Sequence, residues 1–375
     1  MTGRQRLLDT FSGRRTDRVP VAPFLFSNVV NERNGGVPAD PIAACTDLYK
    51  QYGFDILLRN YIITSYMDET RISCDHWRTE VTLEGDVGNN WDEITTITTP
   101  ERVLTQRKSM RRVTPYEVVE APTEYFIKEP EDFEQFKKYQ PPLGICDCSM
   151  VTHARELVGE DGLTGPWVHG VFNLCASYRD LADVLADLYD DPAFYAEMME
   201  YFYVRVTDFI GQVIDAGADF ISLSGNMANG SMVGPVLFKQ FVMPYEMRLI
   251  DFIHQRGAKI IYHNCGDARA LLPLYNQMHL DMFETLTEPP YGDVDLEEAL
   301  QVVQPPTVLS GNIDQIDFLM TATPEEVTEV VKRTILRVKE RGSFIFACSD
   351  YLRERTPEAN LRAFADAALR YGVYD

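Results

Sequence analysis

The feature that most constrains this chain is the regular alternation of strand and helix patterns from residue 150 to the end. Short apolar runs alternate with longer segments that carry apolar residues at spacings of three and four, which is typical of parallel strands joined by crossover helices. Two further apolar runs, 18–26 and 54–60, come earlier. The eight predicted strands indicate an α/β protein, a (β/α)8 TIM barrel that forms a single domain over residues 1–375. The six later strands are 163–171, 218–224, 258–264, 282–286, 307–313 and 343–349.

Residues 78–128 follow a different pattern. Apolar and polar side chains alternate along 77–85, 90–99 and 116–129. A period of two is typical of antiparallel hairpins with one face in water. We interpret this segment as a β-hairpin insertion near the N-terminal third that covers one mouth of the barrel.

Composition and charge restrict the partners and the compartment. The formal net charge is −22, and such a surface repels nucleic acid and anionic membranes, so neither is expected as a partner. The sequence has no apolar run of membrane-spanning length and no signal-like N-terminus, so we expect a cytoplasmic protein. Its seven cysteines are irregularly spaced, which argues against a disulfide framework and leaves each one as packing, ligand or nucleophile.

Two predicted strands end in side chains that bind metals. His263 and Cys265 lie two residues apart at the end of one strand, where alternation points them to the same side, and Cys348 ends the last strand. Imidazole nitrogen and thiolate sulfur are ligands that zinc prefers, and a catalytic zinc keeps three protein ligands and one open position. An isolated H-x-C is a weak motif and a buried Cys is often inert packing, but the placement at two strand ends favours a catalytic zinc site.

The chain resembles the uroporphyrinogen decarboxylase superfamily along most of its length. This superfamily includes zinc-dependent methylcobalamin methyltransferases, and the H-x-C with a late Cys resembles their zinc pattern. The resemblance implies that zinc on His263, Cys265 and Cys348 binds and deprotonates a thiol such as coenzyme M, with a corrinoid as the methyl carrier. The similar segments are 4–23, 165–172, 263–275, 292–300, 309–327 and 356–367.

The decarboxylase branch of the superfamily is the first alternative function. Its members rely on an arginine-rich segment after the first strand and on an aspartate after the second. Here Phe24 to Asn28 supply no cation, and Asn60 lies near the place of the aspartate. An acidic chain without that basic cradle is a poor match for a substrate with many carboxylates, and fold alone does not fix function. A non-catalytic zinc-binding barrel is the second alternative.

The sequence also offers a fourth metal ligand and a set of substrate contacts. Glu284 lies in the predicted strand 282–286 and Glu288 follows it, and we predict that Glu284 is a metal ligand, with Glu288 as the other choice. The segment after Cys348 is longer than the usual short turn of the family, which is a departure from the methyltransferase pattern. Side chains at predicted strand ends are expected to bind substrate: Phe24, Asn60, Trp167, His169, Asn226 and Asn312.

Two methyl transfers fit these residues. The metal either binds a thiol that accepts the methyl group, or it binds the ether oxygen of a methoxylated compound. Aromatic residues near the mouth, including Phe26 and Tyr61, suit a flat substrate and favour O-demethylation. The chain has no Asp-x-His-x-x-Gly segment, so a separate corrinoid protein is the expected partner. A homodimer is the assembly that we consider.

Overall fold

The computed structural model describes residues 1–59 and 73–374. The strands in these ranges are β1 (Ile56–Leu58), β2 (Arg78–Asp86), β3 (Asn90–Thr98), β4 (Val103–Thr114), β5 (Glu117–Glu124), β6 (Gly162–Thr164), β7 (Trp167–His169), β8 (Phe220–Ser224), β9 (Lys259–His263), β10 (Met282–Glu284), β11 (Val308–Ile313) and β12 (Phe344–Cys348). The α-helices are α1 (Gly3–Phe11), α2 (Ser27–Asn34), α3 (Pro41–Gln51), α4 (Pro130–Tyr139), α5 (Ser149–Val158), α6 (Val171–Tyr178), α7 (Leu181–Asp190), α8 (Pro192–Asp215), α9 (Gly234–Leu237), α10 (Met243–Gln255), α11 (Leu272–Tyr275), α12 (Leu296–Val302), α13 (Phe318–Thr321), α14 (Pro324–Lys339) and α15 (Glu358–Tyr371).

The strands outside residues 78–124 form two parallel sheets. One sheet has six strands in the order β12-β11-β10-β9-β8-β7, and the other pairs β1 with β6. Helices follow most of these strands, so the α/β alternation predicted from the sequence is present. The predicted strand 163–171 is divided into β6 and β7 by Gly165 and Pro166.

Backbone hydrogen bonds link the two sheets at both edges. Residues 20–22 run between β1 and β12: the N–H of Asp55 donates to the carbonyl of Val21 at 2.8 Å, and the N–H of Phe346 donates to that of Pro20 at 2.8 Å. The predicted first strand, 18–26, is therefore reduced to a short extended segment with two isolated bridges, from Arg18 to Val373 and from Val21 to Phe346. At the other edge, the N–H of Asp219 donates to the carbonyl of Thr164 at 2.8 Å.

A small buried cluster lies between the strands of the two parallel sheets and α1. It takes one apolar residue from each of seven strands and from the segment 20–22, and α1 adds Leu7 and Phe11. Side chains alternate along a strand, so the neighbouring residues face the larger core between the strands and the helices. The strand members of the inner cluster are Ala22, Leu57, Leu163, Phe220, Ile261, Met282, Val308 and Ile345.

Three aspartates fasten the N-terminal ends of the strands. Asp55, Asp219 and Asp281 each directly precede a strand, and each carboxylate accepts a backbone N–H from a neighbouring segment. Asp55 accepts from the N–H of Val21 at 2.9 Å and also pairs with two arginines. These hydrogen bonds and ion pairs stabilise the N-terminal ends of the strands. In α/β proteins of this kind, functional residues usually lie at the opposite, C-terminal ends.

Residues 78–124 form a separate four-stranded antiparallel sheet in the order β2-β3-β4-β5. The alternation of the sequence explains its contact with the rest of the protein, because Ile97 and Leu104 face each other across β3 and β4 and are buried. The side-chain amide of Gln106 donates to the carbonyl of Ser177 at 2.9 Å. The predicted insertion 78–128 thus corresponds to this sheet and the short connection to α4.

Capping side chains mark the start of several helices. For example, α14 begins with a capping box in which Thr323 and Glu326 bond to each other's backbone N–H groups. Its buried face is spaced at three and four residues. Among the described residues, no helix is both long enough and apolar enough to cross a membrane.

Candidate metal centre

Three metal-binding side chains meet at the C-terminal ends of the strands. His263 is the last residue of β9, Cys265 lies two residues beyond it, and Asp350 lies two residues beyond β12. Their ligand atoms all lie within 4.8 Å of one another, and His263 Nε2 is 3.9 Å from Asp350 Oδ1. No other group of three such side chains within residues 1–59 and 73–374 is as compact. The juxtaposition of His263 and Cys265 is the one expected from their spacing.

Cys348 lies outside this group, in contrast to the sequence prediction. Ile345 belongs to the small buried cluster, whereas Phe344, Phe346 and Cys348 belong to the larger core. Alternation along β12 places Cys348 on the same side of the strand as Phe344 and Phe346. The thiol is buried, and this burial raises its pKa. Asp350, two residues further along, provides the third side chain at the mouth.

Glu284 also differs from its predicted place as a ligand, because it contacts the far side of the imidazole. It pairs with His263 in the register of β9 and β10, and Glu284 Oε1 is 3.0 Å from His263 Nδ1. Arg59, directly after β1, donates from Nη1 to Oε1 at 2.5 Å and from Nη2 to Oε2 at 3.0 Å. Arg59 and Glu284 are only 2% and 4% exposed. A carboxylate on Nδ1 fixes the ring and directs Nε2 toward Cys265 and Asp350.

Charges in the pocket act mainly on His263 and Glu284. Burial alone would raise the pKa of Glu284, but the charge of Arg59 and the bond to His263 lower it to about 2. Burial alone would lower the pKa of His263, but hydrogen bonds to Cys265 and Glu284 and the charge of Asp350 raise it to about 10. The pocket therefore favours positive charge at the imidazole, where the Nε2 face meets a thiol and a carboxylate.

Phe24, Phe26, Trp167 and Tyr351 form an aromatic wall beside the imidazole of His263. Phe24 stacks on Trp167 with ring centroids 5.4 Å apart, and Trp167 meets His263 edge-on at 4.7 Å. Tyr351 packs against Phe24 at 6.4 Å and against Phe26 at 5.2 Å. The predicted contacts Phe24 and Trp167 therefore lie beside His263. Asn60 and Tyr61, also predicted near the mouth, are outside the described residues.

A cavity of about 930 Å³ opens beside the cluster and includes Cys265 and Asp350 in its lining. The predicted contact Asn312 lines it as well, 9% exposed, with its side-chain amide donating to Glu288 Oε1 at 3.0 Å. Its Oδ1 atom is buried and has no hydrogen-bond partner among the described residues. Arg333 of α14 also lines the cavity. The cavity is large enough for a small-molecule ligand.

The remaining predicted contacts are His169, at the end of β7, and Asn226, in the turn that follows the neighbouring strand β8. His169 is the last residue of β7, and burial lowers its pKa to about 4, so the imidazole is neutral at physiological pH. Asn226 Oδ1 accepts from the side-chain amide of Asn173 at 2.6 Å and from the hydroxyl of Ser224 at 2.9 Å. These bonds give Asn226 a structural role in its loop.

Sequence reasoning missed Asp350, Arg59 and Tyr351. Asp350 lies in a segment without periodicity, so nothing in its neighbours indicates where it points. Arg59 lies within the predicted strand 54–60, and its partner Glu284 is 225 residues away in the chain, so no local pattern indicates the pair. The available signal was position alone, since all three follow the end of a strand.

The sequence matches the profile of a known family. The Uroporphyrinogen decarboxylase (URO-D) family profile matches residues 117–371, which is more than half of the chain. The chain therefore belongs to the uroporphyrinogen decarboxylase family.

Its relatives within that family include methyltransferases and decarboxylases. The methylated-thiol–coenzyme M methyltransferase of Methanosarcina mazei is 30% identical over 175 residues, 46% of this chain and 44% of the relative. The methylcobamide:CoM methyltransferase MtbA of Methanosarcina acetivorans is 22% identical over 42% of this chain and 44% of the relative. A uroporphyrinogen decarboxylase of Prochlorococcus marinus is 22% identical over 58% of this chain and 61% of the relative. The matches to both methyltransferases thus span less than half of their length.

A solved structure resembles the whole chain. The structure described as a methyltransferase from Methanosarcina mazei covers 99% of both chains with a TM-score of 0.71 and 15% sequence identity. At this identity the likeness concerns the fold.

Proposed function

We propose that this chain is a zinc-dependent methyltransferase that moves a methyl group between a small substrate and a corrinoid carried by a separate protein. The observation that carries the proposal is the group of His263, Cys265 and Asp350 at the mouth of a methyltransferase-like fold. We further infer that the two parallel sheets are one closed eight-stranded barrel, on the basis of the hydrogen bonds at both of their edges.

The donor set fits zinc. One imidazole nitrogen, one thiolate and one carboxylate oxygen are all common zinc ligands, and three protein ligands leave a position for substrate. Their atoms already lie within 4.8 Å of one another, close to the spacing of ligands around one ion with bonds of about 2.0–2.3 Å. We therefore propose His263, Cys265 and Asp350 as the metal ligands and assign Cys348 to packing.

When bound, zinc would act as a Lewis acid that activates a thiol or polarises an ether oxygen. The protein prepares the site for this chemistry. Arg59 holds Glu284, and Glu284 holds the imidazole of His263 at Nδ1, so that Nε2 faces the other two ligands. The wall of Phe24 and Trp167 excludes water from one side of the imidazole. This arrangement orients the ligands before the substrate arrives.

We propose that the substrate occupies the cavity beside Cys265. A ligand there would find Asn312 Oδ1 as an unused hydrogen-bond acceptor, which favours a substrate with a hydroxyl or amine donor. A buried acceptor that is left unpaired is costly, so such a donor contributes to selectivity. The aromatic wall favours a flat methoxylated compound over a thiol as the substrate.

The decarboxylase alternative is weaker on electrostatic grounds. Arg59 is the cation nearest to the imidazole in the contacts above, and its charge is already balanced by Glu284. A substrate with many carboxylates would have to compete with that buried pair and with a chain of net charge −22.

The test is spectroscopy of a corrinoid, whose visible spectrum changes when it gains or loses a methyl group. Zinc-loaded protein is mixed with methylcobalamin and a panel of thiols, and separately with reduced corrinoid and methoxylated aromatics. We expect a spectral change in at least one reaction, lost in Cys265→Ala, and no conversion of uroporphyrinogen. Tight zinc binding without any methyl transfer would support the non-catalytic alternative instead.

We also propose a cytoplasmic location and a homodimeric assembly, which fractionation and sedimentation would test.

A further inference from the structure

We propose that Glu117, in the antiparallel sheet, is a positioning residue for the metal ligand Asp350. The inference rests on the proposed function, because it assumes that Asp350 binds a metal. It gives the sheet of residues 78–124 a direct role in the site, beyond covering the mouth.

The first step is the contact between the sheet and the loop after β12. Glu117, the first residue of β5, is 9% exposed. The hydroxyl of Tyr351 donates to Glu117 Oε1 at 3.0 Å, and Arg353 donates from Nη2 to Glu117 Oε2 at 3.3 Å. Arg353 also donates to the Tyr351 hydroxyl oxygen. One carboxylate therefore holds two side chains of a single loop, and its charge strengthens both bonds.

The second step leads from Tyr351 to Asp350. The backbone N–H of Tyr351 donates to Asp350 Oδ1 at 2.7 Å, so the position of Tyr351 determines the rotamer of the proposed ligand. The N–H of Asp350 donates to Gln315 Oε1 at 3.3 Å, and the N–H of Leu352 donates to the carbonyl of Phe24 at 2.8 Å. These two bonds restrain the loop backbone on either side of Tyr351, and Glu117 adds a third restraint through the hydroxyl of Tyr351.

Without Glu117, the Tyr351 ring would be restrained mainly by its packing contacts. The Tyr351 ring packs against Phe24 and Phe26 at the edge of the mouth, with centroid distances of 6.4 and 5.2 Å. Packing of this kind restrains a ring less specifically than a hydrogen bond to its hydroxyl does. Loss of Glu117 would free the ring and leave Arg353 without a carboxylate at this contact. The loop would then hold Asp350 less rigidly, and metal affinity would fall.

The experiment compares metal binding by variants of one strand. Zinc affinity is measured by competition with a chromophoric chelator, and the cobalt-substituted proteins are compared by their visible d–d spectra. Glu117→Ala is the perturbation and Glu117→Gln the conservative variant, because Gln keeps an acceptor for Tyr351. Glu124→Ala is the matched control: Glu124 ends the same strand and bonds to Thr105 and Lys128, away from the cluster.

We expect Glu117→Ala to bind zinc roughly ten- to a hundredfold more weakly, as is usual when a residue that supports a ligand is removed, with a changed cobalt spectrum. Glu117→Gln should recover part of the affinity, and Glu124→Ala should match the wild type. Tyr351→Phe, which removes only the hydroxyl, should weaken binding in the same direction and covers the case in which Glu117→Ala does not fold.

Two results would count against the inference, and they are distinguishable. If the wild type binds zinc tightly and Glu117→Ala and Tyr351→Phe bind it equally well with unchanged cobalt spectra, Glu117 has no positioning role and the proposed function stands. If the wild type binds neither zinc nor cobalt, the proposed function itself fails, and the positioning role fails with it.

Discussion

Glu284→Gln is predicted to weaken both the fold and the metal site. Arg59 and Glu284 are nearly inaccessible to solvent, so the change leaves a buried guanidinium without its counter-charge. Breaking a buried ion pair from one side costs about 3–5 kcal/mol of unfolding free energy. The same change weakens the hydrogen bond that residue 284 accepts from His263 Nδ1. We expect zinc affinity to fall about tenfold, which is the low end of the loss usual for residues that support a metal ligand, because Gln still accepts a hydrogen bond.

The chain supplies a matched control for this prediction. Arg248 and Glu200 form a two-bond ion pair with distances of 2.7 and 3.0 Å, nearly the geometry of Arg59 and Glu284, but both side chains are about half exposed. An exposed pair contributes about 0–1 kcal/mol. Chemical denaturation should therefore show a large loss for Glu284→Gln and a small one for Glu200→Gln. Similar losses in the two variants, or unchanged zinc affinity in Glu284→Gln, would refute the reasoning.

Two further predictions concern stability away from the site. Asp55→Asn should lower the unfolding free energy by about 3–5 kcal/mol, because Asp55 is 2% exposed and balances the charges of both Arg6 and Arg18. Urea denaturation measures this loss, and a loss below about 1 kcal/mol would contradict the prediction. Burial raises the pKa of Glu246 from 4.5 to about 7. The folded state therefore binds the proton of this carboxyl more tightly than the unfolded state does. As a result, the contribution of Glu246 to the unfolding free energy must fall as pH rises from about 4.5 to 7. The difference in unfolding free energy between wild type and Glu246→Gln, followed over that range, should shift in favour of the variant; a constant difference would show that the carboxyl is not buried in this way.

The fold was largely predictable because it depends on periodic patterns. The alternation after residue 150 indicates parallel strands and crossover helices, and the antiparallel sheet follows from a period of two in residues 78–128. The departures arise where backbone chemistry interrupts the pattern. Pro166 has no N–H to donate, and β6 and β7 are separate strands on either side of Gly165 and Pro166.

The site was predictable only where residues are close in sequence. His263 and Cys265 share one strand end, so their spacing brings them together. The run Phe344 to Cys348 is apolar on both faces, and a fully buried strand does not reveal which face is turned inward. Its sequence therefore could not show that Cys348 belongs to the larger core with Phe344 and Phe346. Asp350 and Glu284 depend on contacts between distant strands, which no local pattern encodes.

X-ray absorption of the zinc-loaded protein tests the central claim most directly. Sulfur and nitrogen or oxygen ligands are separated by their bond lengths, about 2.3 Å for Zn–S and 2.0–2.2 Å for the others. The proposed set of His263, Cys265 and Asp350 predicts one sulfur per zinc in the protein without thiol substrate, unchanged in Cys348→Ala and absent in Cys265→Ala. Two sulfurs per zinc, with one of them lost in Cys348→Ala, would contradict the assignment of Asp350 and restore Cys348 as the third ligand.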